Sequence, residues 1–281
     1  MPEGDAVYRF AAKLRSALDG RVIESARSHG PGPVVRVEKI IGATCNGVDT
    51  FGKNLFIRFD NGLALRGHLR MYGSWHVYAP GEPWQKAEHQ ARLVLEVAGA
   101  VVVNFSAPVI ELIEQRAIEV YRPIASLGPD LLADDFDEDE AHRRFREPQH
   151  GERFIGDAIM DQKLMAGVGN IWKHETLFRC GIYPWRRVRD IDDATLRGLI
   201  VRARGLLLLS AGKGDGTRPA QRPSMFVYMR GGQPCRRCYS RLLSATQGAD
   251  IRRTAWCPKC QPKRQGEADP PYEAARQASR Y

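Results

Sequence analysis

Two adjacent residues at the start of the chain, Pro2 and Glu3 in Met1-Pro2-Glu3-Gly4, are of types that perform amine chemistry. Removal of Met1 would leave Pro2 as a free secondary amine. Such an amine attacks an aldehyde-like sugar carbon and forms an iminium without losing a second proton. An unperturbed α-amino group has a pKa of about 7.7–8.0, so a usable fraction is neutral at physiological pH. Glu3 beside it can supply acid and base steps. A second chemical group stands near the other end, Cys235-x2-Cys238-x18-Cys257-x2-Cys260. Its pair spacing and loop length are those of a four-thiolate zinc site. Four thiolates fill the coordination sphere, so one structural Zn2+ is expected, holding a lobe with too little core to fold alone. Two disulfides instead would need an oxidising compartment that nothing in the chain supports. Cys45 and Cys180 stand in apolar surroundings and read as buried, unreactive thiols.

The elements that must position these groups fit within 281 residues, enough for one large or two ordinary domains. No apolar run reaches the ~18 residues of a membrane span. Asp5, Arg9, Lys13 and Arg15 interrupt the stretch where a signal-peptide core would lie, so a cytoplasmic protein is expected. Residues 1–150 carry 18 Lys and Arg against 21 Asp and Glu, a net −3, while residues 151–281 carry 24 against 12, a net +12. Seven of the acids cluster between Asp130 and Glu140. Outside that cluster the chain is basic, with a pI of about 9.4, which is the footprint of a polyanion binder.

Val7, Phe10, Ala11, Leu14 and Leu18 recur at helical spacing over 5–19, and Gly20 stops the run. Short alternating runs follow: Leu55, Ile57 and Phe59, then an Asn61-Gly62 turn and Leu63–Leu65. Ala91–Val97 and Ala100–Phe105 flank Ala98-Gly99 as a hairpin, and Ala117–Tyr121 reads as a further strand. The first half is therefore expected to be an antiparallel β-sandwich with one helix against it. Helical patterns cover about 137–147, 153–166, 170–180 and 191–210. Ala211–Ser224 reads as a loop, 226–260 as the zinc hairpin, and 262–281 as disordered. The fold class is α+β. Its divisions are a catalytic sandwich at 1–124, a stretch at 125–140 that reads as a linker or as the cap of a new helix, a helical domain at 141–224, a zinc finger at 225–261 and the tail.

Between two helical runs lies Asp161-Gln162-Lys163-Leu164-Met165-Ala166-Gly167-Val168-Gly169-Asn170-Ile171-Trp172. Amides at a helix N-terminus beside a glycine turn bind phosphate well. Asn170 would cap that helix or donate its amide to the phosphate. With these motifs assembled, the chain resembles bacterial DNA glycosylases of the formamidopyrimidine-DNA glycosylase and endonuclease VIII family. The resemblance rests on Met1–Gly4, Gly52-Lys53, the helix–two-turn–helix segment at 161–184 and the Cys257-Pro258-Lys259-Cys260-Gln261 ending, and runs over residues 1–261.

The resemblance implies a bifunctional glycosylase and AP lyase of base excision repair. Pro2 would attack C1′ of a damaged nucleotide and form a Schiff base, with β- and δ-elimination following. Glu3 would protonate the ring oxygen, and Lys53 would contact phosphate or sugar near the lesion. Arg70, Met71 and Tyr72 would enter the duplex to fill the place of the extruded base. Lys163, Asn170 and Arg252 would hold phosphates, with Arg253 an alternative to Arg252. The partner is double-stranded DNA with a damaged base or abasic site, bound by a monomer at the bacterial nucleoid. The short 211–224 region and the Gly4-Asp5 start are closer to endonuclease VIII, which favours oxidised pyrimidines. An oxidised-purine glycosylase and a silent damage-binding protein are the alternatives. A base-reading zinc-finger regulator fits poorly, because the 18 residues between the cysteine pairs hold no recognition helix.

Overall fold

The first periodic stretch forms helix α1 (Gly4–Leu18), which buries Val7, Ala11, Leu14 and Leu18. It ends before Gly20, whose φ of +73° only glycine adopts freely. The computed structural model describes residues 2–29, 35–118, 120–213 and 225–270. The chain divides into two units, Met1–Ser126 and Leu127–Tyr281.

In the first unit α1 is followed by β1 (Ser25–Ser28), β2 (Cys45–Phe51), β3 (Asn54–Phe59), β4 (Leu63–His68), β5 (Ser74–Tyr78), β6 (Ala91–Val97), β7 (Ala100–Phe105) and β8 (Val109–Glu114). They form two antiparallel sheets, ordered β1-β6-β7-β5 and β2-β3-β4-β8. Leu55, Ile57 and Phe59 from one sheet share a core with Leu93, Leu95 and Val102 from the other and with the buried stripe of α1. This is the expected sandwich, and truncating one such side chain, for example Leu55→Ala, costs about 2–5 kcal/mol. The strand read at 117–121 is absent among the described residues there. Ile118 and Tyr121 instead donate i→i−3 bonds to Gln115 and Ile118, which wind the chain into turns before the short helix α2 (Arg122–Ala125).

The second unit begins earlier than a linker at 125–140 would allow. Asp130, Leu131 and Leu132 are buried, and the backbone of Gly128–Leu131 bonds to that of Gln162–Ala166. The acidic cluster opens α3 (Glu138–Phe145). The Asp137 side chain accepts from the Glu140 N–H at 2.8 Å, and acids in the first turn face the positive end of the helix. The helix expected over 153–166 shrinks to one turn, α4 (Ile155–Ala158). Side chains compete for its backbone: Asp161 accepts from Lys163 N–H. Gln162 donates to Met160 and Val168 carbonyls and accepts from Gly167 N–H.

α5 (Asn170–Cys180) ends in left-handed Gly181, and α6 (Asp193–Ala211) is capped by Asp192 on Thr195 N–H and ends in left-handed Gly212. Most of the 211–224 loop, residues 214–224, lies outside the described residues. β9 (Leu243–Gln247) and β10 (Arg252–Trp256) pair antiparallel as the expected hairpin. Trp256 packs on Tyr183 and Trp185, which fastens the hairpin to the helices. Residues 262–270, read as part of a disordered tail, are tied down instead: Arg186 pairs with Glu267, and Tyr183 donates to the Ala268 carbonyl. The remainder, 271–281, lies outside the described residues. Among the described residues no helix is long and apolar enough to cross a membrane.

Candidate functional site

In the first unit Pro2 is half-buried at the mouth of α1, and Glu3 is fully buried. Glu3 occupies the N-cap position with extended backbone, and its carbonyl accepts from Val7 N–H at 3.0 Å. Its carboxylate makes no cap bond to the helix. Lys53 stands on the β2–β3 turn beside left-handed Gly52. The β3–β4 register pairs Asn54 with His68, which brings Lys53 close to His68, and Arg70 follows two residues later. Burial, and then Arg66, Lys53 and Arg70, push the His68 imidazole down to about 4, so it is neutral among cations. Its Nδ1 is buried with no hydrogen-bond partner among the described residues. No local sequence pattern singles out His68. The register that places it beside Lys53 is a long-range feature.

Arg66 holds this corner rigid. Its guanidinium donates to Asn54 Oδ1 at 3.1 and 2.8 Å and to Glu111 at 2.6 Å, and Tyr121 donates to the same carboxylate at 2.8 Å. The loop after β4 projects Met71 and Tyr72, which are 58% and 75% exposed. Arg70 takes a strained φ of +46°, and a Cβ on Gly73 would lie 2.6 Å from the Leu69 carbonyl oxygen. The loop therefore closes tightly at its base and presents three long side chains at its tip.

In the second unit Asn170 is the first residue of α5 rather than its cap; extended Gly169 takes the cap position. Asn170 Oδ1 is buried with no hydrogen-bond partner among the described residues. Three consecutive polar residues that the sequence reading passed over then join α5 to the finger. Lys173, fully buried, donates to Thr254 Oγ1 at 2.7 Å, and Thr254 donates on to Gln247. His174 bonds through Nδ1 to the Asn170 carbonyl, and its Nε2 accepts from Ala255 N–H at 2.9 Å. This fixes the neutral Nδ1–H tautomer, and burial followed by the Lys173 charge pushes the ring down to about 3. Glu175 accepts from the N–H groups of Phe226, Val227 and Tyr228 at 3.0–3.1 Å and from Arg179 at 3.1 Å. The local signal was three polar residues between the apolar pairs Ile171-Trp172 and Leu177-Phe178 of one helix.

Arg252 and Arg253 open β10 and point to opposite faces. Arg252 pairs with Asp250 at 2.8 Å, and Arg253 donates to Ser244 Oγ at 3.3 and 3.2 Å. Lys163 is exposed on the turn between α4 and α5. The four cysteines converge, with all Sγ atoms within 4.8 Å of one another. Cys235 and Cys260 sulfurs are 4.0 Å apart and those of Cys238 and Cys257 are 3.4 Å apart. Sulfurs at the ~2.3 Å zinc–thiolate distance of a tetrahedral site lie at about this spacing, so the donor set fits a metal ion. Cys45 is buried and Cys180 half-buried, and burial raises both thiols, Cys45 to about 11.

Residues 1–108 match the formamidopyrimidine-DNA glycosylase N-terminal domain family, and residues 127–218 match the formamidopyrimidine-DNA glycosylase H2TH domain family. The chain is 37% identical over 270 residues to a probable endonuclease 8 2 of Streptomyces coelicolor, covering 93% of this chain and 94% of that one. It is 34% identical over 264 residues to the DNA-(apurinic or apyrimidinic site) lyase Nei2 of Mycolicibacterium smegmatis, covering 93% and 99%. The crystal structure of Lactococcus lactis formamidopyrimidine DNA glycosylase, bound non-covalently to DNA containing an AP site, shares the fold. The TM-score is 0.80 at 24% identity, covering 93% of this chain and 100% of that one.

Proposed function

Because the chain belongs to the formamidopyrimidine-DNA glycosylase family and is a DNA glycosylase and AP lyase of base excision repair, we propose that Pro2 is its nucleophile. With Met1 removed, the Pro2 nitrogen attacks C1′ and the damaged base departs with the bonding pair. Glu3 protonates the ring oxygen, the ring opens and the iminium forms. Loss of a C2′ proton then expels the 3′ phosphate, and δ-elimination expels the 5′ phosphate. The observation that carries this reading is Glu3, fully buried at the N-cap of α1, beside the half-buried Pro2.

Lys53 meets the phosphate or sugar at the lesion, in the corner that Arg66 stiffens. Arg70, Met71 and Tyr72 enter the duplex, where their exposure and tight loop base suit insertion. Extruding a base costs a few kcal/mol, which such a wedge offsets. Lys163, Asn170 and an arginine of the finger, Arg252 or Arg253, hold phosphates. One structural Zn2+ sits on Cys235, Cys238, Cys257 and Cys260. The enzyme acts as a monomer on double-stranded DNA in the cytoplasm, at the nucleoid, and prefers oxidised pyrimidines.

Borohydride trapping on a duplex with one thymine glycol tests the reading. A covalent protein–DNA band is expected, and more of it than with 8-oxoguanine opposite cytosine. The reverse order would replace the pyrimidine preference with a purine one. No band from zinc-loaded, des-Met1 protein on either duplex would remove the nucleophile.

A further inference from the structure

β5 is the last strand of its sheet and pairs only with β7. The two-residue turn Ala98-Gly99 makes Val97 and Ala100 a mutually bonded pair, and bonding alternates along β7 from there. Ala100, Val102 and Asn104 therefore bond to β6, while Val101, Val103 and Phe105 turn their backbone to Tyr78, His76 and Ser74. The N–H and C=O groups of Trp75 and Val77 are left facing away from the sheet. No strand lies on that side, and among the described residues no loop or side chain bonds to these four groups. Edge strands are commonly blunted by a proline, a bulge or a lysine. β5 carries none of these: its register with β7 is unbroken, and Val77 is 38% exposed.

A cleft of about 420 Å3 follows this edge, with Trp75 and Val77 on one side and Phe10, Lys13 and Ser16 of α1 on the other. Its size falls in the ~300–1,000 Å3 range of ligand clefts. No acidic side chain lines it. Lys13 is exposed and has no carboxylate partner among the described residues. Lys86 donates to Ser74 Oγ at 2.9 Å and stands 5.8 Å from the centre of the Phe105 ring, again with no carboxylate among the described residues. Ser74 bonds His76 Nε2 at 3.0 Å, and the Tyr78 hydroxyl bonds His76 Nδ1 at 3.1 Å. Burial, and then the charges of Lys86 and Lys13, push this imidazole below its ordinary value, so it is neutral beside two cations.

The edge thus offers backbone donors and acceptors, an apolar strip and positive charge. A phosphodiester backbone has acceptors only and would strand the Trp75 and Val77 carbonyls. A second copy of β5 would bring the lysines of both copies together, which like charge disfavours. An extended polypeptide carries both backbone groups at the strand repeat, and a carboxylate on it answers the lysines. We propose that the β5 edge docks an acidic, extended segment of a partner protein, which adds a strand to the sheet and seats its apolar side chains against Phe10 and Val77.

The test uses full-length, zinc-loaded protein and a fluorescent, end-capped peptide of alternating valine and glutamate. In an added antiparallel strand, the residues opposite Trp75 and Val77 share their apolar face and aim their amides at β5. Binding, read by anisotropy, should therefore be lost when the valine amides are N-methylated and kept when the glutamate amides are. Lys13→Glu should weaken binding about tenfold, and a valine–lysine peptide should not bind at ~1 mM. Val77→Pro, which an edge strand tolerates where the N–H faces solvent, should abolish binding. Both variants should keep the thermal midpoint and the borohydride-trapped product of wild type. If Val77→Pro unfolds, the N-methyl pair and Lys13→Glu decide alone. No binding of the acidic peptide at ~1 mM, equal binding of the lysine peptide, or binding that survives N-methylation of the valines overturns the proposal. Self-association of the protein that Lys13→Glu or Val77→Pro abolishes would make the occupant a second copy and overturns the partner assignment. Weaker duplex binding by Lys13→Glu, with no peptide bound, would make the cleft a nucleic-acid surface and overturns it too.

Discussion

Glu175→Gln probes how α5 holds the finger. One carboxylate oxygen accepts N–H bonds from Phe226, Val227 and Tyr228, and the other accepts from Phe226 and Arg179, all within a fully buried site. Glutamine keeps the volume and one oxygen. In its better orientation that oxygen keeps the three backbone bonds, and the new NH2 points at the Arg179 guanidinium. The loss is then one charge-assisted bond, at about 1.5–3 kcal/mol, plus a donor facing a donor in a dry site, at about 1–3 kcal/mol. The other orientation strands three N–H groups and costs more. A destabilisation of about 3 kcal/mol is expected, concentrated in the backbone of 225–230 rather than spread over the chain. Amide hydrogen exchange followed by mass spectrometry reads this directly: peptides over 225–230 should exchange roughly 100-fold faster, and peptides from β3 and β4 should not change. A loss below about 1 kcal/mol, or uniform acceleration, would show that the carboxylate is not what holds this segment.

Pro2→Gly should reduce or alter the borohydride-trapped product, and Glu3→Gln should abolish base excision while duplex binding survives; full excision by Glu3→Gln would remove its assigned role. Chelation should unfold the finger and silence activity, and added Zn2+ should restore both, whereas an active zinc-free protein would contradict a structural ion. His174 lies near 3 in the fold against its ordinary 6.5. Its contribution to stability is therefore fully present above about pH 6.5 and is lost as the pH falls from there toward 3, by about 2 kcal/mol between pH 6.5 and 5. Urea unfolding of wild type and His174→Gln at those two pH values should show this acid loss in wild type and not in the variant. Equal acid sensitivity would place the linkage elsewhere.

Features set by local pattern could be read before any fold was known. The alternation of Leu55, Ile57 and Phe59 foretold a strand, and two CxxC pairs foretold a cluster of sulfurs. What was missed depends on partners distant in sequence or on side chains that capture backbone. The pattern over 153–166 looks helical until Asp161 and Gln162 take the amides and carbonyls a helix would use. The acidic cluster reads as a linker or a helix cap; the cap is there, with Asp137 on the Glu140 N–H, while the pairing of 128–131 with 162–166 that rules out a linker is invisible locally. Polar composition suggested disorder from 262, yet Glu267 finds Arg186. In the site, Pro2, Lys53 and Asn170 stood out beside glycines or at the chain start, whereas His68 and His174 gain meaning only from strand register and the helix–finger contact.

Lys173, His174 and Glu175 each spend their side chain on a different part of the finger: a hydroxyl, a strand amide and a turn of backbone. The finger is therefore not an interchangeable module, although its four cysteines make it look like one. A chimera carrying the finger of another protein would keep its metal and still lose its seat unless threonine stands at position 254 and the 226–228 turn has the same shape. Such a graft would have to bring positions 173–175 with it, so a lineage can change the two segments only in step.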